Sequence, residues 1–213
     1  MKTSIWTPAL VAFFAIFSSG CVEFTKPLSS EKDSVVDTRL IGVWEYTKDG
    51  TKESELIKVQ PKAGSKTILE ITSMSGKEGS APVHTKKFGK HDYLSVMDTD
   101  KKGKTTWFIA EYEFLDKDSI RMRGPESDRI KELIQEKKIA GVVEKDDYFD
   151  YIQITEDPAK LAAFFEKHFH ECFDHEETSL FKRATPEAIN KAAEKKPAAK
   201  KPAATTPGKS SKK

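Results

Sequence analysis

Apolar and polar residues alternate along the chain from Leu40 onward. Leu40, Gly42, Trp44 and Tyr46 fall on one side of an extended backbone, and Ile41, Val43, Glu45 and Thr47 on the other. A period of two is that of a strand, because successive side chains leave a pleated backbone on opposite faces. Asp49-Gly50 makes a turn. Further short segments of strand character follow at Glu55–Gln60, Lys66–Ser73, Val83–Phe88, Tyr93–Met97, Thr105–Leu115 and Ser119–Arg123. Between them lie clusters of Gly, Pro, Ser, Asp and Lys, so the pattern predicts antiparallel strands joined by tight turns. Thr105–Leu115 is the clearest of them. Phe108, Ala110, Tyr112 and Phe114 form a uniformly apolar face that should point at a core. Trp107, Ile109, Glu111, Glu113 and Leu115 form a mixed face suited to water or to a neighbouring layer.

The period changes after Gly124-Pro125. In Glu126–Lys138, Ile130, Leu133 and Ile134 recur at helical spacing with Ser127 as the expected cap. Strands return at Ile139–Glu144 and Tyr148–Thr155. Asp157-Pro158 then opens a second helix to about Phe173, with Leu161, Phe164, Phe165, His168, Phe169 and Cys172 on its apolar face. A last strand, Ser179–Lys182, leads into Arg183. The fold class expected is therefore mainly β: an antiparallel meander closing into a barrel, with two short helices near its C-terminal end. The domain spans residues 35–184.

The two ends of the chain differ from this middle. Lys2, the uninterrupted apolar run Ala9–Phe17 and the small residues Ser18-Ser19-Gly20 have the three parts of an export signal over residues 1–20. The run is too short to span about 30 Å of hydrocarbon, which takes roughly 20 apolar residues. Ser19-Gly20-Cys21 resembles the end of a bacterial lipobox, which implies lipidation of Cys21. Ser18 stands where that motif has an aliphatic residue. Val22 after the cysteine, by resemblance to the enterobacterial sorting rule, implies the outer rather than the inner membrane of the envelope. Residues 21–34, polar and containing Pro27, read as a flexible tether.

Charge separates the far end. The chain has a formal net charge of +2, yet residues 191–213 hold eight lysines against Glu194 alone, so an acidic domain carries a basic tail. Thr185-Pro186-Glu187 has the make-up of a helix start. Residues 185–213 otherwise form a Lys/Ala/Pro-rich tail, expected to be disordered for want of apolar residues to bury. For an exported protein its partners are anionic head groups or envelope polymers rather than nucleic acid; a solvated extension with no partner is the alternative.

Gly42-Val43-Trp44 on the first long strand, followed by a run of antiparallel strands, resembles the Gly-x-Trp signature of the lipocalin-like (calycin) barrels. The layout from Leu40 to Arg183 is also similar to lipocalin-like bacterial lipoproteins. The resemblance implies that Arg183 lies over Trp44 and closes one end of the barrel, a structural pair. It also implies an interior cavity for a small apolar or amphipathic ligand, with Phe108, Tyr112 and Phe114 as candidate lining; Arg121 and Arg123, which alternate with Ile120 and Met122 on their strand, are candidates for its mouth, where they would hold an anionic head group. A barrel filled by Trp44, Phe108, Tyr112 and Phe114 is the alternative. It would make the protein a structural or interaction module between membrane and polymer.

No Gly-x-Ser-x-Gly, His-Glu-x-x-His or phosphate-cradling glycine loop occurs, so no nucleophile is nominated, and neither enzymatic activity nor a cofactor is expected. His168, Cys172 and His175 share a helical face and have zinc-compatible donors. His168 and Cys172 also continue the apolar stripe of Leu161, Phe165 and Phe169, while His175 falls at or past the helix end, and a core role is the preferred reading. Asp98-Thr99-Asp100 begins like a calcium loop, but Lys102 and Ile109 stand where ligands are needed, which leaves a solvated turn.

Overall fold

The computed structural model describes residues 22–47, 54–74, 79–100, 102–145, 150–173 and 178–194. Cys21, His175, the export signal and residues 195–213 lie outside the described residues. The strands are β1 (Val22–Phe24), β2 (Gly42–Thr47), β3 (Ser54–Pro61), β4 (Leu69–Ser73), β5 (Ser80–Phe88), β6 (His91–Thr99), β7 (Thr105–Phe114), β8 (Ser119–Arg123), β9 (Gly141–Lys145), β10 (Asp150–Ile154) and β11 (Ser179–Arg183). The helices are α1 (Ser127–Gln135), α2 (Pro158–Lys167), α3 (Phe169–Phe173) and α4 (Pro186–Glu194), with a 3-10 turn at Thr38–Leu40.

Strands β2 to β8 follow one another as an antiparallel meander, and β11 pairs with both β8 and β2. Since β6 and β7 are also paired, from Asp92↔Tyr112 to Thr99↔Thr105, the eight strands close into a barrel with no free edge. The expected fold class is thus what the chain adopts. Alternation then decides what lies inside. Trp44, Tyr46, Phe108, Tyr112, Ile120 and Phe181 belong to one buried interior cluster, against which Phe114 packs. Phe181 and Ile120 are fully buried and Trp44 nearly so.

The long excursion between β8 and β11 departs from the meander. β9 and β10 do not enter the barrel. They form a hairpin that joins β1 in parallel, Val22↔Ile152 to Phe24↔Ile154, and β1 meets β7 at Phe24↔Trp107. This extension, with α1, α2 and α3, covers the outer face of β5, β6 and β7. A second apolar core results, which includes Phe24, Trp107, Ile109, Ile130, Phe165 and Phe173. The mixed face of β7 therefore meets a neighbouring layer along half its length.

Four local expectations need correction. Residues 22–34 are not a tether: Val22 and Phe24 bury on the extension, Leu28 N donates to Ser95 Oγ at 3.1 Å, and His84 Nδ1 lies 2.8 Å from the Ser29 carbonyl. Their alternating apolar side chains lay the segment across the barrel wall instead. The second helix breaks at His168, whose φ of −115° leaves the α region. The first helix is capped by Glu126 rather than Ser127. It ends at Gln135, because Lys137 takes φ 58° and turns the chain. The helix start expected at Thr185-Pro186-Glu187 is present: residues 186–194 form α4, with Ala188 N donating to Thr185 Oγ1 at 3.2 Å, so the tail is helical in its first part.

Candidate functional site at the closed end of the barrel

One end of the barrel is sealed by residues that the sequence places far apart. The Arg183 guanidinium lies over the Trp44 ring, with Cζ 4.2 Å from the centroid, and the two residues are direct cross-strand partners. Arg183 Nη1 donates to the Ile41 carbonyl and Nη2 to the Arg39 carbonyl, both at 3.2 Å, while Asp118 pairs with Nε at 3.3 Å. Trp44 Nε1 donates to the Leu40 carbonyl at 2.8 Å, which ties the 3-10 turn across the barrel mouth. Gly42 permits this. Its φ is +144°, and a Cβ there would collide with Arg183 Nη1. Trp44 further meets Phe114 edge-on at 6.3 Å, and Arg39 Cζ stands 4.5 Å above the Phe114 ring.

Beside this seal a cavity of about 460 Å³ opens where β6 begins. β6 starts at His91, so β7 beyond Tyr112 has β8 on one side only, and the missing neighbour leaves a notch in the wall. Arg39, Asp92, Tyr112 and Phe114 line the notch from the barrel mouth. His91, Glu111, Glu113, Arg121 and Arg123 line it from the outer face, and Lys90 stands in the β5–β6 turn.

Charge in the cavity is dense and unevenly satisfied. Arg121 Nη2 and Arg123 Nη2 both donate to Glu113 Oε2, at 2.6 and 3.2 Å, and the Arg121 hydrogen bond holds the Glu113 carboxyl below the usual carboxylate range. Asp37 accepts from Arg39 and, at 3.0 Å, from the Tyr112 hydroxyl. Burial acts to raise the Asp37 carboxyl, but these hydrogen bonds outweigh it and hold the group low. Glu111 is different. It is only 4% exposed; its Oε1 is 3.5 Å from His91 Nδ1, and its Oε2 is 3.7 Å from Arg123 Nη1 with no hydrogen bond among the described residues. Burial pushes its carboxyl up, against the pull of Arg123 and His91. The His91 ring in turn stacks on Phe169 of α3 at 3.5 Å, so the outer helical layer fixes the imidazole beside the carboxylate.

The candidate residues from the sequence divide. Phe108 and Tyr112 lie in the barrel interior and Phe114 at its sealed mouth. Arg121 and Arg123 do not join them inside, because antiparallel pairing sets them opposite Glu113 and Glu111 on the outer face. Arg121 and Arg123 still share the notch with Tyr112 and Phe114, by way of its rim. Cys172 is fully buried in the outer core, where burial pushes its thiol up to about 12. His168 stacks on Phe164 and lies 2.7 Å from Glu171 Oε1. Among the described residues no three potential ligands gather for a metal ion.

Sequence reading missed Arg39, Lys90, His91, Asp92, Glu111 and Glu113. A signal for two of them was present. Glu-x-Glu and Arg-x-Arg flank a short hairpin turn at Asp116–Asp118, and hairpin register alone sets Glu111 against Arg123 and Glu113 against Arg121.

Fold and site together define a closed, antiparallel eight-stranded barrel, consistent with a lipocalin-like fold, that carries a charged notch at its sealed end. No protein-family model matches the chain, and no curated protein and no solved structure matches it either.

Proposed function

We propose that this protein is a bacterial envelope lipoprotein, anchored through Cys21 with the outer membrane as its site, whose barrel acts as a rigid scaffold. It works by binding rather than by catalysis, through the notch on its wall, and does not carry apolar cargo in its lumen. One observation carries the reading: Trp44, Tyr46, Phe108, Tyr112 and Phe181 meet inside the barrel and bury one another. Small barrels of eight strands have room for either side chains or one ligand, and large aromatics take that room here. The basic tail, eight lysines against one acid, then engages an anionic envelope polymer or anionic head groups.

Native mass spectrometry of the full chain extracted from its own envelope tests the scaffold reading, together with titration by the apolar fluorophore N-phenyl-1-naphthylamine. Wild-type protein should show no saturable probe binding in the lumen and no co-purifying lipid beyond that on Cys21. Phe108→Ala, by opening a dry cavity, should gain probe binding. A wild-type barrel that extracts with an apolar molecule and quenches Trp44 on probe addition would restore the carrier. Anchoring is read separately by labelling with a palmitate analogue. Cys21→Ser should abolish the label, and persistent labelling would remove the anchor.

A further inference from the structure

The buried polar side-chain atoms that lack a hydrogen-bond partner among the described residues are Ser29 Oγ, Tyr93 OH, Glu111 Oε2 and Arg121 Nε. Two of these, Glu111 Oε2 and Arg121 Nε, belong to residues lining the notch. They are complementary in kind. A carboxylate oxygen only accepts, and a guanidinium nitrogen only donates. Native proteins leave such groups unpaired rarely, because each forfeits its hydration without return.

The two open positions differ in the partner they ask for. Glu111 is buried with its carboxylate incompletely answered, since the Arg123 guanidinium stands 3.7 Å from Oε2 without a hydrogen bond and the His91 ring nitrogen, 3.5 Å away, faces Oε1 instead. A protonated amine placed there would supply both a hydrogen bond and a countercharge. On the other side, Lys90 makes no ion pair among the described residues, and Arg121 spends Nη2 on Glu113 while Nε points at nothing. A carboxylate would answer these. A simple cation would leave Arg121 and Lys90 as they are and would be repelled by them. A simple anion would meet Glu111 and Glu113. The cavity, at about 460 Å³, lies in the range of small-molecule sites and has room for a molecule of dipeptide size. Its aromatic edge, Phe114 under Arg39, gives the molecule's carbon frame a surface to lie on.

We infer that the notch binds a small zwitterion of the amino-acid or dipeptide kind, its ammonium on Glu111 and its carboxylate on Arg121 and Lys90. This rests on the reading that the protein binds through its wall, and it names the class of ligand. His91 acts as a positioning residue: held by the Phe169 stack, it keeps Glu111 Oε1 engaged and leaves Oε2 free for the ammonium.

Three probes of similar size separate the charges: glycylglycine as zwitterion, glycinamide as cation and N-acetylglycine as anion. Each is titrated into the full chain and followed by amide chemical shifts. Glycylglycine should move the signals of Lys90, His91 and Glu111, and should bind at least about tenfold more tightly than either singly charged probe. Glu111→Gln should lower glycylglycine affinity about tenfold without weakening N-acetylglycine. Lys90→Ala, an exposed change that leaves the fold alone, should weaken glycylglycine and N-acetylglycine together. Equal affinity for all three probes, no binding of glycylglycine, or a Glu111→Gln variant with undiminished glycylglycine binding would each overturn the assignment. If N-phenyl-1-naphthylamine is excluded and glycylglycine also fails, the zwitterion falls and the filled scaffold stands. If the lumen takes the apolar probe, the scaffold falls whatever the notch does.

Discussion

The two faces of β7 belong to one ten-residue strand and meet opposite fates. Its inner face, Phe108, Ala110, Tyr112 and Phe114, closes on apolar neighbours around the whole barrel. Its outer face begins the same way, with Trp107 and Ile109 buried under the helical layer, and then turns to Glu111 and Glu113 where that layer thins. The orphaned polar atoms of the described residues all lie outside the barrel wall. The inner face is spent on stability. The outer face holds charge in a buried place without fully answering it, and that is where binding chemistry can occur.

Inner-face changes should be the most damaging. Trp44→Ala removes a side chain 1% exposed, together with its stacking on Arg183, and should lower unfolding free energy by about 3–5 kcal/mol in urea titration. A loss no larger than that of a surface substitution would remove the seal from the account. Gly42→Ala should cost about 1–3 kcal/mol, from a strained φ and from displacing Arg183. Its signature would be a Trp44 fluorescence shift, and an unshifted, fully stable variant would show that Arg183 has another resting place.

Tyr112→Phe deletes the hydroxyl that donates to Asp37 and should cost about 1.5 kcal/mol at neutral pH. The sign with pH follows from Asp37 titrating lower in the folded than in the unfolded chain. Its contribution is complete above the unfolded pKa and disappears as pH falls through the folded one, so the wild-type advantage over Tyr112→Phe should shrink in acid. An advantage that grows in acid would contradict the lowered carboxyl.

Glu111→Gln, on the outer face, should do the reverse of all these. Its carboxyl titrates higher when folded, so ionisation weighs against the fold, fully so above the folded pKa and not at all below the unfolded one. The variant should match or exceed wild type at neutral pH in urea titration. The difference should vanish once pH drops below the ordinary carboxylate range. A large loss at neutral pH would make Glu111 a structural ion-pair member and erase the contrast between the faces.

Much of the barrel was legible because period-two alternation is a local property. β7 could be placed, and its apolar face assigned inward, from eleven consecutive letters. The turn at Asp116–Asp118 fixed the next pairing. What alternation cannot give is the destination of a strand that leaves the meander. β9 and β10 have ordinary strand patterns, and only the pairing of β10 with Val22–Phe24, more than a hundred residues earlier, takes the hairpin out of the barrel. The break at His168 was hidden too, since the apolar stripe runs on through it and the Cys172 N–H still reaches the His168 carbonyl at 3.2 Å. Arg121 and Arg123 share the notch with Tyr112 and Phe114 but not with Phe108, because the hairpin register sets the two arginines opposite Glu113 and Glu111 on the outer face. The notch itself arises where the β6–β7 ladder stops at Asp92↔Tyr112, two residues short of the end of β7, a matter of relative strand length that no single segment records.

The parallel pairing of β1 with β10 bears on posture. Val22 is 6% exposed and locked opposite Ile152, and Cys21 is the residue immediately before it. Consecutive Cα atoms are about 3.8 Å apart. Acyl chains carried on Cys21, as proposed, would therefore have no leash. The body could neither drift outward nor spin freely; it would rest on the bilayer by its β1–β10 corner, and its attitude to the membrane would be set by the fold.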